Sequence, residues 1–248
     1  MKKTNLSTKV IKESDFLVAK EILKPDIVVK AGIKEIDKLT GGFKAGKITY
    51  IKGDSKLVSK ISNQLCVNTY RTFENDAIYI DAGMHVNPYT IAKYTRKLDL
   101  DQKKVLEHVH ISRAFTVYQL STLIQDMLEV AIKRYKPKTL ILGRYPLLYT
   151  DNDVKEKEVR TLFRNNLHKI RELTIKYNLI TIFTNIDKKM LSRQKNTSKI
   201  LYKEADEIVS IKERKLATYV ELLKQKKNTM ILHLTNGQLR LQDFGMMV

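Results

Sequence analysis

Apolar residues along this chain fall into two alternating kinds of run. Short continuous runs, Ile48 to Ile51, Ala77 to Ile80, Thr139 to Leu142 and Leu179 to Phe183, read as strands buried on both faces. Between them lie longer segments with helical spacing. Leu57, Ile61, Leu65 and Thr69 share one stripe of a helix running to Phe73. Leu120, Leu123, Ile124, Met127, Leu128 and Ala131 face inward on a helix from Tyr118 to Tyr135, and Val154 to Tyr177 forms another. Pro88 marks a helix start running to about Lys97, and Val109-His110-Ile111 is a short strand. Residues 26–53 read as a strand at Ile27 to Val29, a short helix with Ile33, Ile36 and Leu39, a glycine-rich turn and a second strand. Beyond a basic loop, Glu207 to Ile211, Ala217 to Leu223 and Thr229 to Leu234 read as a meander. This order predicts an α/β fold. It has a mostly parallel twisted sheet, helices on both faces and a C-terminal antiparallel extension. Residues 1–25 form an N-terminal extension and 26–248 one core domain.

Charge changes the picture more than composition does. Lys and Arg number 46 against 27 Asp and Glu, a formal charge of +19. Such an excess points to an acidic polymer, nucleic acid above all. The alternative is a lysine-rich habit with the charges scattered over a solvated surface. Cys66 is the lone cysteine, which excludes an intrachain disulfide and fits a reducing compartment. No apolar run approaches the roughly 20 residues that span a bilayer, and polar Thr4 to Lys9 follow Met1-Lys2-Lys3 where a signal peptide would turn apolar. A cytoplasmic protein without membrane contact is expected. The five histidines, at 85, 108, 110, 168 and 233, form no metal pattern with cysteine or paired carboxylates.

The stretch from Tyr50 to Lys60 stands where a phosphate-binding loop belongs. Such a loop reads G-x-x-x-x-G-K-[ST]: glycines let backbone N–H groups wrap the phosphates, the lysine reaches the β/γ-phosphates and the hydroxyl holds Mg²⁺. Gly53 opens it correctly after a strand. Val58 then stands for the second glycine, Ser59 for the lysine and Lys60 for the hydroxyl. A β-branched valine resists the left-handed backbone that glycine supplies. The context is present and the chemistry is not.

Five local signatures, in order, resemble one family. Ala31 to Gly42 resembles the pattern T-G-x-x-x-L-D-x-L-x-G-G, and Gln64-Leu65 the helix after the phosphate loop. Tyr79 to Pro88 resembles Y-I-D-T-E-x-x-F-R-P, Ser112 to Phe115 resembles A-R-A-[FY], and Ile182 to Asn185 resembles V-x-T-N. From about Phe16 onward the chain resembles the RecA/RadA recombinases, specifically the archaeal RadA type and its paralogues. The resemblance implies a RecA-like core. It also sets the family's catalytic glutamate on Gly83, its Mg²⁺-supporting aspartate on Gly143 and its γ-phosphate-sensing glutamine on Ile186. Phosphoryl transfer needs charge neutralisation and an oriented water. With these positions and the loop changed together, an inactive ATPase site with no cofactor is expected.

The family also uses an F-x-x-A segment that docks on the neighbouring subunit. Phe16 and Ala19 stand at the matching distance before the core. Read from the residues alone, this short apolar face either folds back on its own core or anchors in a neighbour's groove. The resemblance implies docking on a RadA-type recombinase or on copies of this chain. Two family loops hold DNA. The first falls near Tyr149 to Glu158, is mixed in charge and is shorter than the family pattern. The second falls at Asp187 to Lys199, where Lys188, Lys189, Arg193, Lys195 and Lys199, with Ser192, Asn196, Thr197 and Ser198, offer donors to phosphates of single-stranded DNA. Lys212, Arg214, Lys215, Lys224, Lys226 and Lys227 fall at hairpin turns that either extend this basic surface or are simply exposed. The expected function is a non-catalytic RadA paralogue that binds DNA, the recombinase filament or both. A residual ATPase with a non-standard loop and a self-assembling structural protein are the alternatives.

Overall fold

The computed structural model describes residues 26–53, 56–186 and 192–232, with the side chains of 186 and 192–196 left out. Phe16 and Ala19, like Lys188 and Lys189, lie outside the described residues, as do the side chains of Ile186, Arg193 and Lys195. The strands are β1 (Val28–Val29), β2 (Phe43–Lys44), β3 (Ile48–Gly53), β4 (Ala77–Asp81), β5 (Val109–Arg113), β6 (Thr139–Gly143), β7 (Ile180–Ile186), β8 (Glu207–Glu213), β9 (Ala217–Leu222) and β10 (Lys227–Leu232). β1 and β2 pair by themselves. The others form one sheet in the order β10-β9-β8-β3-β7-β6-β4-β5. From β8 to β5 every pairing is parallel, and β8, β9 and β10 form the antiparallel meander. The expected α/β class and C-terminal extension are both present.

Helices cover both faces because the strand side chains alternate between two cores. Ile78 and Ile80 of β4 enter one core and Ala77 and Tyr79 the other. The second core is closed by α1 (Lys34–Thr40), α2 (Lys56–Phe73), α3 (Pro88–Lys97) and α4 (Gln102–Glu107). The first is closed by α5 (Val117–Thr122) and α6 (Leu128–Tyr135), joined through a π turn at Leu123–Met127, and by α7 (Glu156–Lys176) and α8 (Ser192–Glu204). Helix starts follow local chemistry. Asn87 caps α3 by accepting from Thr90 N, with Pro88 in the first position. Thr116 caps α5 in the same way, through Gln119 N. α4 lies in a stretch with no apolar stripe, and its signal is Asp101, which accepts from Lys103 N and Lys104 N.

Two expectations are corrected. Met127 does not face inward: it is 55% exposed, and Leu120, Ile124, Leu128 and Ile132 form the buried row. The π turn inserts one residue and rotates the following face. The basic segment after β7 is not a loop throughout, because α8 begins at Ser192. Thr197, Leu201 and Ala205 recur every fourth residue and are buried. The first of them is polar, so the stripe does not declare itself in sequence.

The α6–α7 contact centres on one carboxylate. Glu129 accepts from Lys176 Nζ at 2.8 Å, Tyr177 OH at 2.9 Å and Lys169 Nζ at 3.1 Å. These hydrogen bonds, that of Lys176 foremost, lower its pKa from 4.5 to about 2. A carboxyl depressed in the folded state stabilises above its unfolded value and loses that contribution as pH falls through the folded one. Stability is therefore expected to decline between about pH 4.5 and about pH 2, and less so in Glu129→Gln. Denaturant midpoints across that window measure the difference. Burial pushes the Cys66 thiol up to about 12, which leaves it unreactive.

Candidate functional site: an occupied cleft at the strand ends

In open parallel sheets ligands bind beyond the carboxyl ends of the strands. Here those ends are Gly53 of β3, Asp81 of β4, Gly143 of β6 and Ile186 of β7, with the start of α2 above them. The fold thus brings together Gly53, Val58, Ser59, Lys60, Gly83 and Gly143, the positions singled out in sequence. Val58 is buried in the core and Lys60 is exposed.

At two of these positions the space that a side chain would need is filled by the chain itself. A Cβ on Gly143 would stand 2.6 Å from both Cε1 and the hydroxyl oxygen of Tyr79, a side chain fully buried under α2 and donating to Ser62 Oγ at 3.2 Å. A Cβ on Gly83 would stand 2.7 Å from Cβ and 2.9 Å from Cγ of Arg144. The Arg144 side chain therefore lies over Gly83. Its Nη1 reaches His85 Nε2 at 2.8 Å, and His85 Nδ1 lies 3.2 Å from Ser59 Oγ. A continuous relay, Ser59–His85–Arg144, thus ties α2 to the ends of β4 and β6. Burial draws the Arg144 guanidinium below its ordinary pKa and the charge of Asp81 pulls it back. Asp81, itself buried, is turned to its own loop: it accepts from the N–H groups of Gly83 (3.2 Å), His85 (3.1 Å) and Val86 (3.0 Å). Sequence reading found the two glycines but not their occupants, Tyr79, His85 and Arg144. The adjacent Gly143-Arg144 pair was the available signal.

Gly53 has a separate reason to be glycine. A Cβ there would stand 2.8 Å from Ile211 Cβ, and the Ile211 carbonyl oxygen is closer still. The close approach of β8 excludes a side chain.

Candidate DNA contacts divide between two ends of the molecule. β8 runs parallel to β3, so the β8–β9 turn with Lys212, Arg214 and Lys215 lies at the cleft end of the sheet. Lys224, Lys226 and Lys227 lie in the β9–β10 turn at the opposite end, and the six do not make one surface. Arg214 stacks over Tyr219 at 5.2 Å and Lys52 over Tyr202 at 4.9 Å. Lys199 is exposed on α8, whereas Thr197 and Ser198 are buried and offer nothing to a phosphate. The region of the first DNA loop is tied into the core: Tyr149 donates to Tyr145 OH at 3.0 Å and accepts from Asn166 Nδ2 at 2.8 Å.

A second concave feature lies on the far edge of the sheet. Strand β5 has no described partner on its outer side, and beside it a groove of about 350 Å³ opens under the π turn. Ile78, Ile80, Leu123, Met127, Leu128 and Ala131 make it mostly apolar, and Asp126 and Arg134 line it too. Among the described residues no group of three or more His, Cys, Asp or Glu is placed to hold a metal, and no helix is long and apolar enough to cross a membrane.

A family model for Rad51 matches residues 23–204, most of the chain. The chain belongs to the Rad51 family. It is also 27% identical over 169 residues to the DNA repair protein Rad51 homolog of Drosophila melanogaster, covering 65% of this chain and 46% of that protein. The chain spans about half the length of that curated relative. The Rad51 match covers every strand of the parallel sheet except β8, and with them the filled cleft and the apolar groove. A relationship to recombinases of DNA repair follows.

Proposed function

We propose that this protein is a non-catalytic Rad51-family paralogue that binds DNA, the recombinase filament or both, and so modulates homologous recombination and repair. The observation that carries this reading is the occupied cleft. Where the family resemblance calls for a glutamate and an aspartate the chain has Gly83 and Gly143, and Arg144 and Tyr79 take up the space beside them. Neither glycine can hold a metal or orient a water, and a lysine at the loop position is replaced by Ser59, which is engaged with His85. A subunit without hydrolysis cannot trigger its own release, so its effect on a filament is thermodynamic.

The apolar groove beside β5 supports the docking half. An extended F-x-x-A segment can add its backbone to a free strand edge and set its two apolar side chains into pockets along it. The chain carries such a segment at Phe16 and Ala19, so the same geometry serves a recombinase protomer or a second copy. The basic turn at Lys212, Arg214 and Lys215, with the Arg214–Tyr219 stack, supports contact with single-stranded DNA: cations meet phosphates and an aromatic face meets bases.

Binding to a RadA-type recombinase, measured for the full chain and for Phe16→Ala, tests the docking. Loss of a buried aromatic anchor is expected to weaken binding by about 2 kcal/mol or more, some thirtyfold. Met127→Glu is expected to leave the fold intact, since Met127 is exposed, and to abolish capture of a peptide spanning residues 14–24. Undiminished binding in both variants would move the interface elsewhere.

A further inference from the structure

The end of the sheet opposite the cleft carries a row of cations. There β6, β7, β3 and β8 begin. The β9–β10 turn joins them, because Leu223 N donates to Ile208 O and Lys224 Nζ to Ala205 O. Lys136 and Lys138 lead into β6, and with Lys133 and Tyr177 they line a cavity of about 370 Å³. Lys47 leads into β3, and Lys226 and Lys227 close the row. These points span the six neighbouring strands from β6 to β10, about 24 Å at the ordinary strand spacing. Carboxylates at this end are already engaged. Lys44 holds Asp26, Arg171 holds Asp206, and Lys169 and Lys176 hold Glu129. Glu207 is half-buried and feels the charge of Lys44 and Lys47, and exposed Glu204 has Lys203 beside it. Lys136, Lys138, Lys226 and Lys227 form no ion pair among the described residues. Lys133 and Lys176 sit in the last turns of α6 and α7, where the helix dipole accounts for them. Lys138, Lys226 and Lys227 lie outside helices, where it does not. Residues 1–25 hold six lysines against three carboxylates, and 233–248 one arginine against one aspartate, so neither reverses the sign.

We propose that this end of the sheet is a second DNA-binding surface, which takes duplex DNA by its phosphates. Single strands are held by cations together with aromatic faces on which bases stack. The row offers cations without such faces: Tyr177 is half-buried and gives its hydroxyl to Glu129, and Tyr135 is stacked on His110. A duplex presents phosphates at fixed spacing and keeps its bases inside, and a row of about 24 Å faces about seven base pairs. The cleft end differs, since Arg214 lies over Tyr219 there and offers both parts. A lipid surface would call for apolar side chains to insert, and the row supplies little beyond Ile175. The chain thus holds a single strand at one end of the sheet and a duplex at the other. The inference rests on the DNA-binding reading above and adds a second place to it.

Fluorescence anisotropy of the full chain, with a labelled duplex of about 20 base pairs and with a single strand of the same length, tests this. The triple variant Lys136→Gln, Lys138→Gln, Lys227→Gln is expected to bind the duplex roughly tenfold or more weakly at about 100 mM salt. It is expected to lower the slope of log K against log salt by about three and to bind the single strand as the wild type does. Arginine at the same three positions keeps the charge and is expected to preserve duplex binding. Neutralising Lys212, Arg214 and Lys215 is expected to weaken the single strand and spare the duplex. Duplex binding unchanged in the glutamine triple, or lost equally for both forms of DNA with the melting temperature unchanged, would overturn the inference alone. A wild type that binds neither form would overturn the DNA reading with it. Wild-type capture by vesicles of phosphatidylserine and phosphatidylcholine, with no duplex bound, would overturn the inference in favour of a lipid surface.

Discussion

Replacing Gly143 with aspartate is expected to destabilise the fold by about 3 kcal/mol or more and to restore nothing. The new Cβ would stand 2.6 Å from two atoms of the Tyr79 phenol, which is fully buried between β4 and α2. Tyr79 has nowhere to go, because its hydroxyl is held by Ser62 and its ring lies in the core with Ile141 and Ile182. The carboxylate would also lose its water on entering the buried strand ends. Overpacking and burial of charge together are expected to cost about 3 kcal/mol or more, a melting temperature lower by roughly 6–12 °C in a domain of this size. Gly83→Glu makes a useful contrast. Its obstacle includes the Cβ of Arg144, 2.7 Å away and fixed by the backbone, and only the outer part of that side chain can turn aside, so the cost is expected to be about 2 kcal/mol. Thermal melts of the two variants side by side measure the difference. Similar losses would mean that Tyr79 yields as readily as Arg144.

The second large effect belongs to Gly53→Ala. One methyl group would press on the carbonyl oxygen and Cβ of Ile211, in the parallel ladder where Gly53 pairs with Ile211. Backbone cannot rotate aside as a side chain can. Relief requires β8 to move off β3, which breaks ladder hydrogen bonds and opens the core around Ile51, Val209 and Ile211. A loss of about 2–3 kcal/mol is expected, read as a lower denaturant midpoint. An unchanged midpoint would show that the strands have slack at this point. The result matters for reading the loop. Gly53 is the one feature of the phosphate-loop pattern this chain keeps, and strand packing accounts for it without any nucleotide.

Most of the architecture was legible because it rests on runs that only one structure satisfies. Ile48 to Ile51, Ala77 to Ile80 and Thr139 to Leu142 are apolar without alternation, and strands covered on both faces need that. Three features escaped for three reasons. The π turn at Leu123–Met127 leaves no mark in composition, and it moved Met127 from the core to a groove wall. Helix α8 buries Thr197 and Ser198, residues read in sequence as phosphate donors. The relay through His85 joins residues 59, 85 and 144, which no local pattern connects. The candidate site was thus found from what was missing, at Gly83 and Gly143. What fills it became visible only once β4 and β6 were set side by side.

The proposal that the cleft binds no nucleotide is tested by one melt of the full chain, with and without millimolar Mg·ATP. A ligand held by the folded state at a hundred times its Kd adds about 2.7 kcal/mol, which would raise the melting temperature by roughly 5–10 °C. With Arg144 over Gly83 and Tyr79 against Gly143, the predicted result is no shift. A rise of several degrees that depends on Mg²⁺ would contradict the account and return the protein to the class of working nucleotide-binding recombinases.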